Sequence, residues 1–145
     1  PVFGYRDPQA VEYAEDLGLA MQLANILRDI KEDLERGRIY LPQDELSSYG
    51  IREEALASGV VDEAFRDFLA FQVRRARHYF QSGSRLIPLV SYSSRICPMM
   101  LQALYSRVLD HIERAGYDVF SQRRGPSDAE KVFLLLGACL RCLLP

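Results

Sequence analysis

The chain has no tryptophan, only two histidines and only three cysteines in 145 residues. Each scarcity narrows the range of chemistry. Three cysteines cannot all pair internally: Cys139 and Cys142 form a C-x-x-C one helical turn apart, and Cys97 lies far away in sequence. Buried thiols in a reducing compartment are the expectation, not a disulfide scaffold. His78 and His111 show no metal-ligand spacing and neither accompanies an obvious nucleophile, which argues against a zinc site and against Ser/Cys hydrolysis. No apolar run approaches the ~20 residues that span a bilayer; the longest lies in KVFLLLGACLRCLLP. A net charge of −2 offers no broad basic surface, so no nucleic-acid partner is expected. The opening PVFGYRDPQA carries neither a Met nor a basic-then-apolar leader, so it reads as the interior of a larger cytoplasmic protein, or one peripheral at a membrane.

What is present is helical periodicity. With 48% hydrophobic and 26% charged residues, the chain suits one globular all-α domain over residues 1–145. Asp7 followed by Pro8 predicts a helix start and Gly37 its stop. The RIYLP stretch is extended, and two short helical pieces end near Gly50 and Gly59. From Asp62, a long helix repeats Phe65, Phe68, Leu69, Val73, Ala76 and Phe80 at three- and four-residue spacing and reaches toward Ile87, where Pro88 ends it. Arg74, Arg75 and Arg77 form a basic cluster on it, read as a solvated face first and a diphosphate partner second. A further helix runs from about Ser94 to Ala115 with Pro98 in its first turn. Ser127-x-x-Glu130 is a capping box opening the last helix, whose apolar face should dock on the others. A mostly antiparallel helical bundle is the economical architecture.

The first helix carries an unusual strip. On a regular helix at ~100° per residue, with Gln22 at zero, Asn25 falls near −60°, Asp29 near −20° and Asp33 near +20°. Leu19, Leu23, Ile26, Leu27, Ile30 and Leu34 lie beside them at roughly +40° to +140°. Acids one turn apart repel by ~0.2–0.5 kcal/mol, so the pair is not there to stabilise the helix. Acids at this spacing are also common on solvated faces, with Arg28, Lys31, Arg36 and Arg38 as ordinary counter-charges. Turned toward apolar walls, carboxylates and an amide are oxygen-only donors, which favour Mg²⁺ over zinc. Mg²⁺ in turn commonly shares its site with phosphates. Such a site would suit a ligand with a charged head and an apolar tail, whereas on a solvated face the strip would need no ligand.

The segment LGLAMQLANILRDIKEDLERGRIYLPQDEL resembles the second aspartate-rich motif of the squalene/phytoene synthases, the head-to-head trans-prenyltransferases. The likeness continues through FQVRRARHYF, LQALYSRVLDHIERAGYDVF and the terminal apolar helix, and covers about the C-terminal half of a usual member. It implies an isoprenoid-synthase-type all-α bundle with a central cavity and Mg²⁺ held between two aspartate-rich helices. It implies condensation of two farnesyl or geranylgeranyl diphosphates to a squalene-, presqualene- or phytoene-type product in isoprenoid, carotenoid or hopanoid biosynthesis. By motif, Asn25, Asp29 and Asp33 correspond to metal ligands, with Asp29 and Asp33 the catalytic pair. Gln22, Arg28 and Tyr105 correspond to substrate or diphosphate contacts.

Two departures stand out. Gln122 occupies the place of an expected arginine, followed by Arg123 and Arg124. The first aspartate-rich motif is absent, so the opposing helix would lie upstream of Pro1, and the chain alone is expected to be inactive. Self-association, association with the upstream half, and peripheral membrane contact are the partner expectations. An NADPH-dependent reductive step is left open. The competing reading is a non-catalytic helical interaction or lipid-binding module derived from the same family.

Overall fold

The computed structural model describes residues 7–121 and 125–143. Its helices are α1 (Gln9–Arg28), α2 (Ile30–Glu35), α3 (Gln43–Ser48), α4 (Glu53–Ala57), α5 (Glu63–Gly83), α6 (Ile96–Arg114) and α7 (Asp128–Leu143). Two 3₁₀ turns, Ser84–Leu89 and Tyr92–Ser94, join α5 to α6. Among the described residues no strand forms beyond a single bridge position at Val90.

The punctuation follows local chemistry. Asp7 Oδ1 accepts from the Gln9 N–H at 2.9 Å, and Pro8 takes a first-turn position where its missing N–H costs nothing. Gly37 closes α2 at φ +68°. Its N–H bonds Leu34 O at 2.9 Å while the Arg38 N–H reaches Asp33 O at 2.8 Å, the double closure of a Schellman motif. Asp62 caps α5 by accepting from the Phe65 N–H at 2.8 Å. The Ser127–Glu130 capping box forms in both directions, at 2.9 Å and 3.3 Å. The end of α5 differs from expectation: the helix stops at Gly83, and Pro88 falls inside the 3₁₀ turn that follows. A 3₁₀ turn accommodates the ring because its hydrogen bonds are short-range and sparse.

The core lies between α1, α5 and α6. Phe65, Phe68, Leu69, Val73, Ala76 and Phe80 of α5 are all buried, as their spacing implies. Against them α1 turns Ala10, Leu17, Ala20, Ala24 and Leu27. The small side chains of Ala10, Ala20 and Ala24 allow close approach. A Cβ on Gly83 would sit 2.8 Å from the N, Cα and Cβ of Leu17, so only glycine fits there.

Polar anchors tie the shorter pieces down. Gln72 is 1% exposed yet satisfied: it donates to Glu45 of α3 at 2.5 Å. Arg75 grips both Glu45 oxygens, at 2.5 and 3.0 Å, and stacks over Phe71. Arg77 pairs with Asp110 and Glu113 of α6. The basic cluster is thus neither a simple solvated face nor a diphosphate site at these two positions; only Arg74 is exposed.

The last helix docks incompletely. It rests on α6, with His111 Nε2 3.2 Å from Glu130 Oε1, and leaves Val132, Phe133, Leu136 and Leu140 exposed. These four fall within about 100° of one another on the helix, a continuous apolar strip. The expectation that this face would be covered by the bundle is therefore met only in part. No described helix is long and apolar enough to cross a membrane.

Candidate active site

The strip on α1 does not sit on an unbroken helix. Asp29 adopts φ −99°, ψ 12° and separates α1 from α2. The ladder survives around it, since the Asp29 N–H bonds Asn25 O and the Asp33 N–H bonds Asp29 O, both at 2.9 Å. This sparsely populated region is where many site residues are found. A side-chain pair accompanies it: Arg28 Nε and Nη2 donate to Asp29 Oδ1 and Oδ2 at 2.8 and 2.5 Å. Neighbouring residues on a regular helix point ~100° apart, so such a two-point grip needs the local relaxation. The bond to Asp29 also pushes the Arg28 guanidinium above its ordinary pKa.

The buried face of α1 shares only Leu27 with the leucine stripe, and Ile30 of α2 is buried as well. Ala20 and Ala24 lie ~160° from Gln22 on either side, so the core face opposes the oxygen strip. Leu23 and Ile26 are half-buried between the two faces, and Leu19 is 49% exposed. The apolar wall beside the strip is therefore partly open, while Gln22 is exposed and Asn25, Asp29 and Asp33 are half-buried.

The strip reaches α6 through one contact. Asn25 Nδ2 lies 3.5 Å from the Tyr105 hydroxyl. Tyr105 in turn lines an open cleft of about 370 Å³ with Arg28, Leu104, Val108, Gly125, Pro126 and Lys131. Asn25, Arg28, Asp29 and Tyr105 are thus linked by contact. Asp33 instead borders a cavity of only about 10 Å³ with Arg38 and the apolar Ile26, Ile30 and Leu34. Gln22 shares the helix face alone. The segment Gln122–Arg124 lies outside the described residues, as do the side chains of Cys139 and Cys142. Sequence reasoning missed Lys131 altogether, although its place one turn after the Ser127 cap fixes it at the start of α7.

Donor chemistry can be tested against a hard cation. Asn25 directs its amide nitrogen at Tyr105, which leaves the amide oxygen as the atom able to ligate. Asp29 and Asp33 offer carboxylate oxygens, but Arg28 holds both of those on Asp29 and Asp33 borders the separate small cavity. Among the described residues no three His, Cys, Asp or Glu side chains converge on one point. A hard cation here would need Asp29 to release Arg28, and further oxygens from water, ligand or another chain segment.

The all-helical bundle thus carries an oxygen-rich strip beside a cleft rimmed by Arg28 and Tyr105. The squalene/phytoene synthase family model matches residues 1–130, and the chain belongs to that family. It is 43% identical over 134 residues to the 15-cis-phytoene synthase of Synechococcus elongatus, covering 92% of this chain and 44% of that protein. Against the chloroplastic phytoene synthase 2 of Solanum lycopersicum the identity is 40%, covering 89% and 42%. The structure superposes on a dehydrosqualene synthase in complex with ligand at a TM-score of 0.82, with 26% identity, over 94% of this chain and 48% of the other. The squalene synthase HpnC of Alicyclobacillus acidocaldarius gives 0.77 and 29%, over 81% and 44%. The fold is therefore of the isoprenoid-synthase type. The chain spans less than half the length of these relatives.

Proposed function

We propose that this chain forms one side of a prenyltransferase that condenses two prenyl diphosphates, farnesyl or geranylgeranyl, head to head. The observation that carries this reading is the Asn25–Tyr105 contact, which joins the oxygen strip of α1 to the cleft rimmed by Arg28. Family membership and the phytoene synthase relatives support it. Asn25, Asp29 and Asp33 would hold Mg²⁺, and Gln22, Arg28 and Tyr105 would contact the substrate head. When bound, Mg²⁺ would stabilise charge building on a departing diphosphate. Arg28, now held by Asp29, has the planar fork to receive a diphosphate once that carboxylate is engaged elsewhere. The half-open wall of Leu19, Leu23 and Ile26 beside the strip suits a prenyl tail.

Ligands from a single helix face leave a cation incompletely held, so this chain by itself should not turn over substrate. The remaining part of the family fold would supply the opposing acids and cover the apolar strip of α7; two copies of this chain pairing through that strip is the other arrangement. Incubation with Mg²⁺ and either prenyl diphosphate, then extraction for C30 and C40 hydrocarbons, tests this. Product should appear only when the chain is co-expressed with the N-terminal half of a family member. No product from that pairing would count against the proposal, and product from the lone chain, abolished by Asp29→Asn, would replace it with a self-completing assembly.

A further inference from the structure

We propose that Lys131 is a positioning residue for the diphosphate head, working from α7 opposite Arg28; this rests on the reading of the cleft given above. Four observations meet at this side chain. Lys131 lines the cleft that Arg28 and Tyr105 rim. It also lines the adjoining apolar groove of about 260 Å³ formed by Met100, Leu101, Leu104, Val132 and Leu135, so it stands where a polar compartment meets an apolar one. The segment leading into α7 lies against the arginine: a Cβ on Gly125 would come within 3.8 Å of Arg28 Cδ. Finally, the start of α7 is held in place by the Ser127–Glu130 box and by Glu130 against His111.

Lys131 has freedom to act. Its ammonium pairs with Asp128 at 2.7 Å, but the two side chains are 52% and 96% exposed, so the pair is easily exchanged for a multiply charged anion. A lysine is a point charge on a flexible stem, suited to follow a diphosphate without fixed fork geometry. With Arg28 on α1 and Lys131 on α7, the anion would be bracketed from two elements, and its apolar tail directed along either neighbouring wall.

The test begins with inorganic pyrophosphate in the presence of Mg²⁺, which would engage Asp29 and free Arg28, titrated calorimetrically into the 145-residue chain. A charge-assisted hydrogen bond corresponds to roughly tenfold or more in affinity. Lys131→Gln should weaken binding about tenfold, Lys131→Arg should restore it to within about threefold, and Lys31→Gln, outside the cleft, should change it less than about twofold. In the co-expressed two-part enzyme, Lys131→Gln should raise KM for the prenyl diphosphate far more than it lowers kcat. Equal pyrophosphate affinity in wild type and Lys131→Gln, or no binding by the wild type, overturns the role of Lys131. If Asp33→Asn still abolishes turnover in that case, the functional reading stands without it. Conversely, Lys131-dependent pyrophosphate binding with no turnover by any pairing would keep the anion site and remove the prenyltransferase reading.

Discussion

Replacing Gly83 with alanine should destabilise the fold, and replacing Gly18 should do the opposite. At Gly83 the added Cβ would lie 2.8 Å from three atoms of Leu17, two of them backbone. Carbon atoms pack at ~3.5–4.0 Å, and a backbone cannot rotate aside, so the end of α5 must move off α1. Overpacking of this kind costs about 1–3 kcal/mol. Alanine's helix preference of up to ~1 kcal/mol offsets little, because Gly83 is the last residue of α5. A net loss of roughly 1–2 kcal/mol corresponds to a Tm lower by about 3–8 °C in a chain of this size. Gly18 meets nothing within 4 Å and lies inside α1, where alanine should add about 0.5–1 kcal/mol. Far-UV circular dichroism melts at one fixed protein concentration would measure both, since the exposed α7 strip makes association a variable. A Gly83→Ala protein melting at or above wild type would refute the close-approach argument, as would parallel shifts of the two variants.

Two further outcomes follow from the side-chain contacts. Tyr105→Phe in the two-part enzyme should lower turnover about ten- to a hundredfold, from one hydrogen bond to a charged group worth ~1.5–3 kcal/mol; loss of a cooperative melt instead would make Tyr105 a core residue. Glu45 is held below its ordinary pKa of 4.5, chiefly by Arg75. A depressed folded pKa gives stability that is complete above the unfolded value and lost as pH falls through the folded one. Acid unfolding should therefore steepen below about pH 4.5, the window set by that shift. In Glu45→Gln this limb should flatten; an unchanged acid limb would discount the Glu45–Arg75 clamp.

Much of this architecture is legible in the residues. Gly37 and the Ser127–Glu130 box mark helix ends because their effects are local, within a few residues of backbone. The α5 stripe is legible because Phe65 through Phe80 repeat with the helical period. The break at Asp29 is not, because it accompanies a pairing of adjacent side chains that a regular wheel sets apart. Nor is the core face of α1: Ala20 and Ala24 carry too little apolar area to outvote the leucines, and only their packing against α5 reveals them. The fates of Arg75 and Arg77 depend on Glu45, Asp110 and Glu113, which lie some 30 residues away. Lys131 escaped notice because its neighbours across the cleft come from α1 and α6. At the site, the strip is a local pattern and so can be read, whereas the Tyr105 contact and the cleft are products of tertiary folding.

The central claim is that the α1 strip holds the metal that serves the diphosphate. Turnover against Mg²⁺ concentration in the co-expressed two-part enzyme, for wild type, Asp29→Asn and Asp33→Asn, tests it most directly. Stabilisation of phosphate charge by a metal contributes several kcal/mol, and each ~1.4 kcal/mol is tenfold in rate. Both variants should lose about a hundredfold or more at limiting Mg²⁺, while their melts stay close to wild type because neither carboxylate belongs to the core. Near-wild-type turnover by both variants at limiting Mg²⁺ would contradict the account.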